Sequence, residues 1–138
     1  MRYFVVLMAV LLAGCVTTPQ PPPLEPRGPA RELTEREKKV ISGYLAADLK
    51  DPASASFSWA WILPPIDPNG AVTYCGAINA RNSFGGFVGR SPYLSLVGFK
   101  NGEVESAYLT GIASDGSTKS QAYLIMCERA GYQPTALR

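Results

Sequence analysis

Eleven apolar or aromatic positions in a row, residues 3–13, follow the single basic Arg2. That run is too short for the ~20 residues that a membrane-spanning helix needs. Residues 16–30 then carry six prolines and almost no bulky apolar side chain, a composition that favours extended polyproline conformations over a packed core. Helical patterning begins at Thr34, which is followed three residues later by Glu37 in the spacing of a capping box. Val40, Ile41, Tyr44, Leu45 and Leu49 recur on one side, opposite Lys38, Lys39, Ser42 and Lys50, and predict an amphipathic helix of about sixteen residues. Asp51-Pro52 should end it, since proline disfavours the helical conformation in the residue before it.

From Ser56 the period changes to two. Phe57, Trp59, Trp61 and Leu63 share one face and Ser56, Ser58 and Ala60 the other, with Ile62 out of phase, which predicts a strand whose aromatic face, both tryptophans included, lies in the core under the helix, the alternative for Trp59 and Trp61 being a glycan-binding platform. Further strands are expected over residues 71–80, 93–99 and 104–110, with a loop over 82–87 and a hairpin turn at Asn101-Gly102. After a polar break and cap at residues 114–118, residues 121–130 read as a short final helix with Tyr123, Leu124, Met126 and Cys127 at its apolar positions. The expectation is an α+β domain over residues 31–138: a small, mainly antiparallel sheet of three to four strands, packed by an N-terminal amphipathic helix and a short C-terminal helix. A little over 100 residues suffices for one such core and not for two.

The end of the first apolar run, Leu12-Ala13-Gly14-Cys15, resembles the lipobox of bacterial lipoproteins. The resemblance implies that residues 1–14 are a signal peptide, that Cys15 is acylated, with palmitate or a similar chain, and becomes the new N-terminus, and that residues 15–30 are a tether. An ordinary secretory signal or a short core helix are the alternatives, although a core helix starting at residue 3 would not run into a proline tract. Fully extended at ~3.1 Å per residue, residues 16–30 would hold the domain up to roughly 45 Å from the anchor. The other reading of the prolines is a ligand for a proline-recognising partner. Val16, standing where aspartate would favour inner-membrane retention, points by analogy to the outer membrane, facing the periplasm of a two-membrane envelope.

Loss of Arg2 with the leader changes 13 basic and 11 acidic residues to 12 and 11, a net charge near +1. The cations are interleaved with acids, as in Glu35-Arg36-Glu37-Lys38-Lys39, and form no basic stripe, so no nucleic-acid partner is expected. Cys75 and Cys127 are an even pair in an exported chain, and a disulfide between them would close a loop of about fifty residues. Two free buried thiols or a metal pair are the alternatives. A zinc site would want more Cys or His ligands, and the chain has no histidine, so no metal is expected.

The absence of histidine removes the usual base for a serine or cysteine nucleophile, and no Ser-x-x-Lys arrangement occurs. Glu103 and Glu105 could be a glycosidase-like carboxylate pair, but beside a hairpin they read as solvated edge residues. The chain is expected to be no enzyme, with no catalytic residue and no cofactor. Asn79, Asn82, Phe84, Gly85, Gly86 and Phe87 form the candidate binding segment, because they combine side-chain amides, glycines that let backbone approach a ligand, and aromatic rings. The structural alternative has the asparagines bonding the turn, Gly85 and Gly86 at positive φ, and the phenylalanines plugging the core.

Asp51-Pro52-Ala53-Ser54-Ala55-Ser56-Phe57, together with Cys75-Gly76-Ala77-Ile78-Asn79-Ala80-Arg81-Asn82-Ser83-Phe84-Gly85-Gly86-Phe87, resembles a family of small bacterial exported proteins and lipoproteins. Its pattern is a D-P-x-S-A-x-F block followed by C-G-x-x-N-A-x-N-S-F-G-G and Tyr or Phe, here Phe87. The likeness covers about residues 35–100. It implies a compact helix-plus-sheet domain and brings no activity with it. The functional expectation is a lipid-anchored envelope protein with a non-catalytic binding or structural role, its partners being the membrane through the anchor and an envelope protein or cell-wall glycan. The alternative is an inhibitor of a cell-wall-degrading enzyme or an accessory subunit of an envelope assembly. A glycan binder should lay aromatic rings flat beside Asn79 or Asn82, whereas an inhibitor should project residues 82–91 as a loop with Arg81 or Arg90 at its tip.

Overall fold

The computed structural model describes residues 28–134. The expected signal peptide, the acylated Cys15 and residues 16–27 of the tether lie outside the described residues.

The first helix, α1, spans Glu35–Ala47, and its start is the capping box expected from the sequence. The Glu37 N–H donates to Thr34 Oγ1 at 3.3 Å, and the Thr34 N–H donates to the Glu37 carboxylate at 2.9 Å. Arg31 adds a bidentate contact, its two terminal nitrogens standing 2.8 and 2.6 Å from the Glu37 oxygens. Glu37 is therefore a buried anion with a donor on every side. Ile41 and Leu45 are fully buried one turn apart, while Tyr44 is half exposed at the margin of the stripe rather than inside it. The helix ends at Asp48, before the expected stop, and Pro52–Ser54 form a separate 3-10 turn.

Four strands follow: β1 (Ser56–Ser58), β2 (Ala71–Asn79), β3 (Ser91–Lys100) and β4 (Glu103–Ile112). They pair antiparallel in the order β1-β2-β3-β4. A second helix, α2, covers Thr118–Arg129. The architecture is α+β, a four-stranded antiparallel sheet with one helix before it and one after. The turn between β3 and β4 places Asn101 at φ 53° and Gly102 at φ 81°, the left-handed pair that matches strand twist in a two-residue hairpin. Cross-strand partners share a face, so Tyr74, Tyr93, Val97, Phe99 and Val104 gather with Ile41 and Leu45 of α1 in the core. Cys75, Leu94 and Gly111 turn to the opposite face, under α2. A Cβ on Gly111 would run into the Tyr123 ring, so glycine there lets α2 approach.

The alternation over residues 56–63 misled in one respect. β1 is three residues long, and the chain then leaves the sheet toward Pro64 and Pro65, which supply no N–H to a ladder. Ile62, the residue out of phase, is fully buried and bridged to Arg31 through N–H···O bonds of 3.0 and 2.8 Å; Trp61 is 58% exposed, not core. Trp59 is half-buried and stacks on Phe57 with ring centroids 5.3 Å apart.

Helix α2 starts earlier than its apolar pattern suggested, at Thr118. The Ser120 N–H donates to Ser117 Oγ, and the Asp115 carboxylate accepts from the Ser117 N–H and the Ser120 hydroxyl. Its buried residues are Ser120 and Cys127, with Met126 half exposed. Cys127 is joined to Cys75 by a disulfide across 52 residues, with the Cα atoms 5.9 Å apart.

Two outcomes follow from this packing. Replacing both Cys75 and Cys127 by Ala should lower stability by about 4 kcal/mol on the chain-entropy model, measured by urea unfolding. Glu37, held at about 2 by the Arg31 guanidinium first and the Thr34 donors after it, against an ordinary 4.5, contributes stability present above pH ~4.5 and lost as the pH falls toward 2. With Arg31 41% exposed and partly screened by water, the loss should be about 2 kcal/mol, and Glu37→Gln should flatten the acid limb of stability against pH.

Candidate functional site

Between β2 and β3 the chain leaves the sheet for residues 81–90, every one of them exposed. Phe84 is 97% exposed, Phe87 55% and Val88 53%. The phenylalanines therefore do not plug the core. The loop nevertheless has a defined shape, because Asn82 closes it from inside. Its side-chain oxygen accepts from the N–H groups of Phe84 and Gly86 at 2.9 and 3.1 Å, its own N–H donates to Gly86 O at 2.8 Å, and its carbonyl accepts from the Gly85 N–H at 3.0 Å. This is an Asx-type turn. Gly85 sits at φ 81° with open space around it, whereas Gly86 does not take positive φ and Gly89, at φ 84°, does.

Three further contacts pin the base of the loop. Arg81 bridges Phe87, its guanidinium lies 5.2 Å from the Phe87 ring centroid, and its backbone N–H donates to Ser54 Oγ at 2.9 Å. Ser54 in turn donates to Asp51 O at 2.8 Å. The Asp51–Ser54 segment thus props the Asn82 loop. The half-buried Asn79 holds β1 through its carbonyl, which accepts from the Ser56 hydroxyl at 3.3 Å. Its side-chain oxygen is buried and has no hydrogen-bond partner among the described residues. Gly76 is structural as well: a Cβ there would stand 2.6 Å from the Tyr93 hydroxyl and 2.8 Å from Ser58 O. Burial pushes the phenols of Tyr93, Tyr74 and Tyr132, grouped behind this glycine, above their ordinary range.

Of the six candidate residues, Asn82, Phe84, Gly85, Gly86 and Phe87 stand together on the exposed loop, and Asn79 lies at its root in β2. The sequence reading passed over Val88, which joins the apolar tip; a lone valine between glycines carries no periodic signal. Glu103 and Glu105 are solvated side chains with separate cationic partners: Glu103 meets Arg36 at 2.9 Å and Glu105 meets Lys100 at 3.3 Å, all four side chains being more than half exposed. Residues 68–102 contain no acidic side chain and include Arg81, Arg90 and Lys100, so the loop is an apolar tip in a weakly cationic setting. No cluster of His, Cys, Asp and Glu that could hold a metal occurs among the described residues.

Compared with known proteins, the chain matches no family model, no curated protein and no solved structure.

The geometry separates display from scaffold. Phe84→Ala should leave unfolding free energy within about 0.5 kcal/mol, the range for surface changes, whereas Asn82→Ala should cost about 1 kcal/mol through its lost turn bonds. Urea melts of the two variants side by side check this.

Proposed function

We propose that this chain is a lipid-anchored bacterial envelope protein with a non-catalytic role, and that it works by inserting the tip of its 81–90 loop into a cleft on another envelope protein. The observation that carries the reading is Phe84, a large apolar side chain 97% exposed at the tip of a loop whose backbone is fixed from within. A buried aromatic anchor in a partner's pocket is the usual centre of binding energy at such interfaces. A fixed loop also avoids part of the ordering cost on association. Arg81 and Arg90 flank the tip without a nearby acid in sequence, which favours a partner surface of negative potential. Inhibition of a cell-wall-degrading enzyme and membership of an envelope assembly are both uses of the same loop.

The anchor at Cys15, the outer-membrane location and kinship with the small exported proteins that share the two sequence blocks belong to this proposal as its sequence-based part. The glycan reading is weaker at this loop. The oxygen of Asn82, which a sugar hydroxyl would need as an acceptor, is already bonded to two backbone amides. Asn79 is half-buried in β2 at the root of the loop and is not part of its exposed tip.

The test is a pull-down from detergent-solubilised envelopes with the full chain as bait and purified cell-wall sacculi as a parallel bait. Wild type should retain a specific protein that Phe84→Ala loses, and neither should be retained on sacculi. Retention on sacculi, or a protein partner indifferent to Phe84→Ala, would contradict the proposal.

A further inference from the structure

A groove of about 820 Å³ opens on the side of the molecule where β1 stops short. One wall is the segment Leu63, Pro64, Pro65, Ile66 and Asp67, the floor is the start of β2, and the other wall is the end of α2 with Met126, Arg129 and Ala130. The splayed chain after β1 creates it. Had the β1–β2 register continued, residues 62–64 would have paired with 73–71, but two prolines in succession cannot sustain that ladder.

The floor is an open strand edge. Phe99 N–H donates to Gly70 O, so alternate residues of β2 from Gly70 onward bond β3, and the N–H and C=O groups of Ala71 and Thr73 face the groove. They have no hydrogen-bond partner among the described residues. Apolar walls over free backbone groups suit an extended polypeptide.

The chain's own upstream segment reaches the first wall of this groove without itself lining it. Arg31 pairs antiparallel with Ile62, and Gly28 stands against Pro64, a groove-lining residue, where an added Cβ would lie 3.2 Å from Pro64 Cγ. Continued in that antiparallel direction, the pairing would carry the residues before Gly28 toward Ile66 and Asp67. We infer that residues 24–27 of this chain, Leu24-Glu25-Pro26-Arg27, dock in the groove. Leu24 is the one large apolar residue between Val16 and Gly28, and it fills the apolar space between Ile66 and Met126. Charges complement in the same order: Arg27 meets Asp67 at the near wall and Glu25 meets Arg129 at the far one.

The docking stands on this geometry whether or not the chain is lipid-anchored. Its consequence rests on the anchoring proposed above: at ~3.1 Å per residue, the free tether is about 37 Å with residues 16–27 loose and about 25 Å with 24–27 docked. The groove then sets two heights for the domain above its anchor.

Hydrogen exchange on the full chain in detergent micelles tests this, read at the amides of Ala71 and Thr73 for wild type and Leu24→Asp. Exchange should be about tenfold slower in wild type than in Leu24→Asp, with the amides of β3 and β4 equal in both. Equal rates at Ala71 and Thr73, fast or slow, overturn the inference. Protection that rises with protein concentration would instead assign the groove to a second copy. Protection that survives Leu24→Asp but is lost on deleting residues 135–138 would assign it to the C-terminal end; either result also overturns the inference.

Discussion

The bond between Cys75 and Cys127 decides whether α2 belongs to this domain. The helix fully buries only Ser120 and Cys127, with Tyr123 and Leu124 partly buried and Ile125 and Met126 about half exposed, a thin apolar contact for a short helix whose stability depends on tertiary packing. The disulfide fixes its last turn to the middle of the sheet. Tyr123 can then settle on Gly111, and the chain beyond the helix can bring Tyr132 against Tyr74, ring centroids 5.6 Å apart. This one crosslink holds a helix against the second face of the sheet, covering Cys75 and Leu94 and leaving Leu96 and Tyr108 of that face exposed. The groove beside β2 depends on it too, because one wall is the end of that helix.

On the opposite face no covalent help is needed. Ile41 and Leu45 reach the apolar side of the sheet, and the Arg31–Glu37–Thr34 cluster fixes where the helix begins. A bidentate guanidinium and a closed capping box leave the Glu37 carboxylate little unsatisfied capacity. That is why a charged group is tolerated at 4% exposure. The rigid sheet then presents residues 81–90, which are held by Asn82 and Ser54 and contribute little to the core. Function placed on a loop over a stiff scaffold is a common division of labour.

Much of this was legible in the chain. The capping box, the Asn101-Gly102 hairpin, the cysteine pairing and the order of elements all have local or arithmetic signatures, and each lies where those signatures put it. The misreadings share a cause. Period alone puts Trp61 and Tyr44 on apolar faces, but burial depends on what lies opposite. Departure of the chain from the sheet at Trp59 reverses the phase, so that Ile62 and not Trp61 turns inward. Phe84 and Phe87 look like core residues by type, and only the four bonds of the Asn82 turn show that they are held outward. The open edge at Ala71 and Thr73 has no sequence signal beyond the neighbouring prolines.

The central claim is that Phe84 is a docking residue, and contact at that position measures it most directly. A photo-crosslinking amino acid placed at position 84 of the full chain, in intact envelopes, should join one protein partner, while the same group at the half-exposed position 44 of α1 should not. Crosslinks to that protein from both positions alike, or none from position 84, would contradict the account.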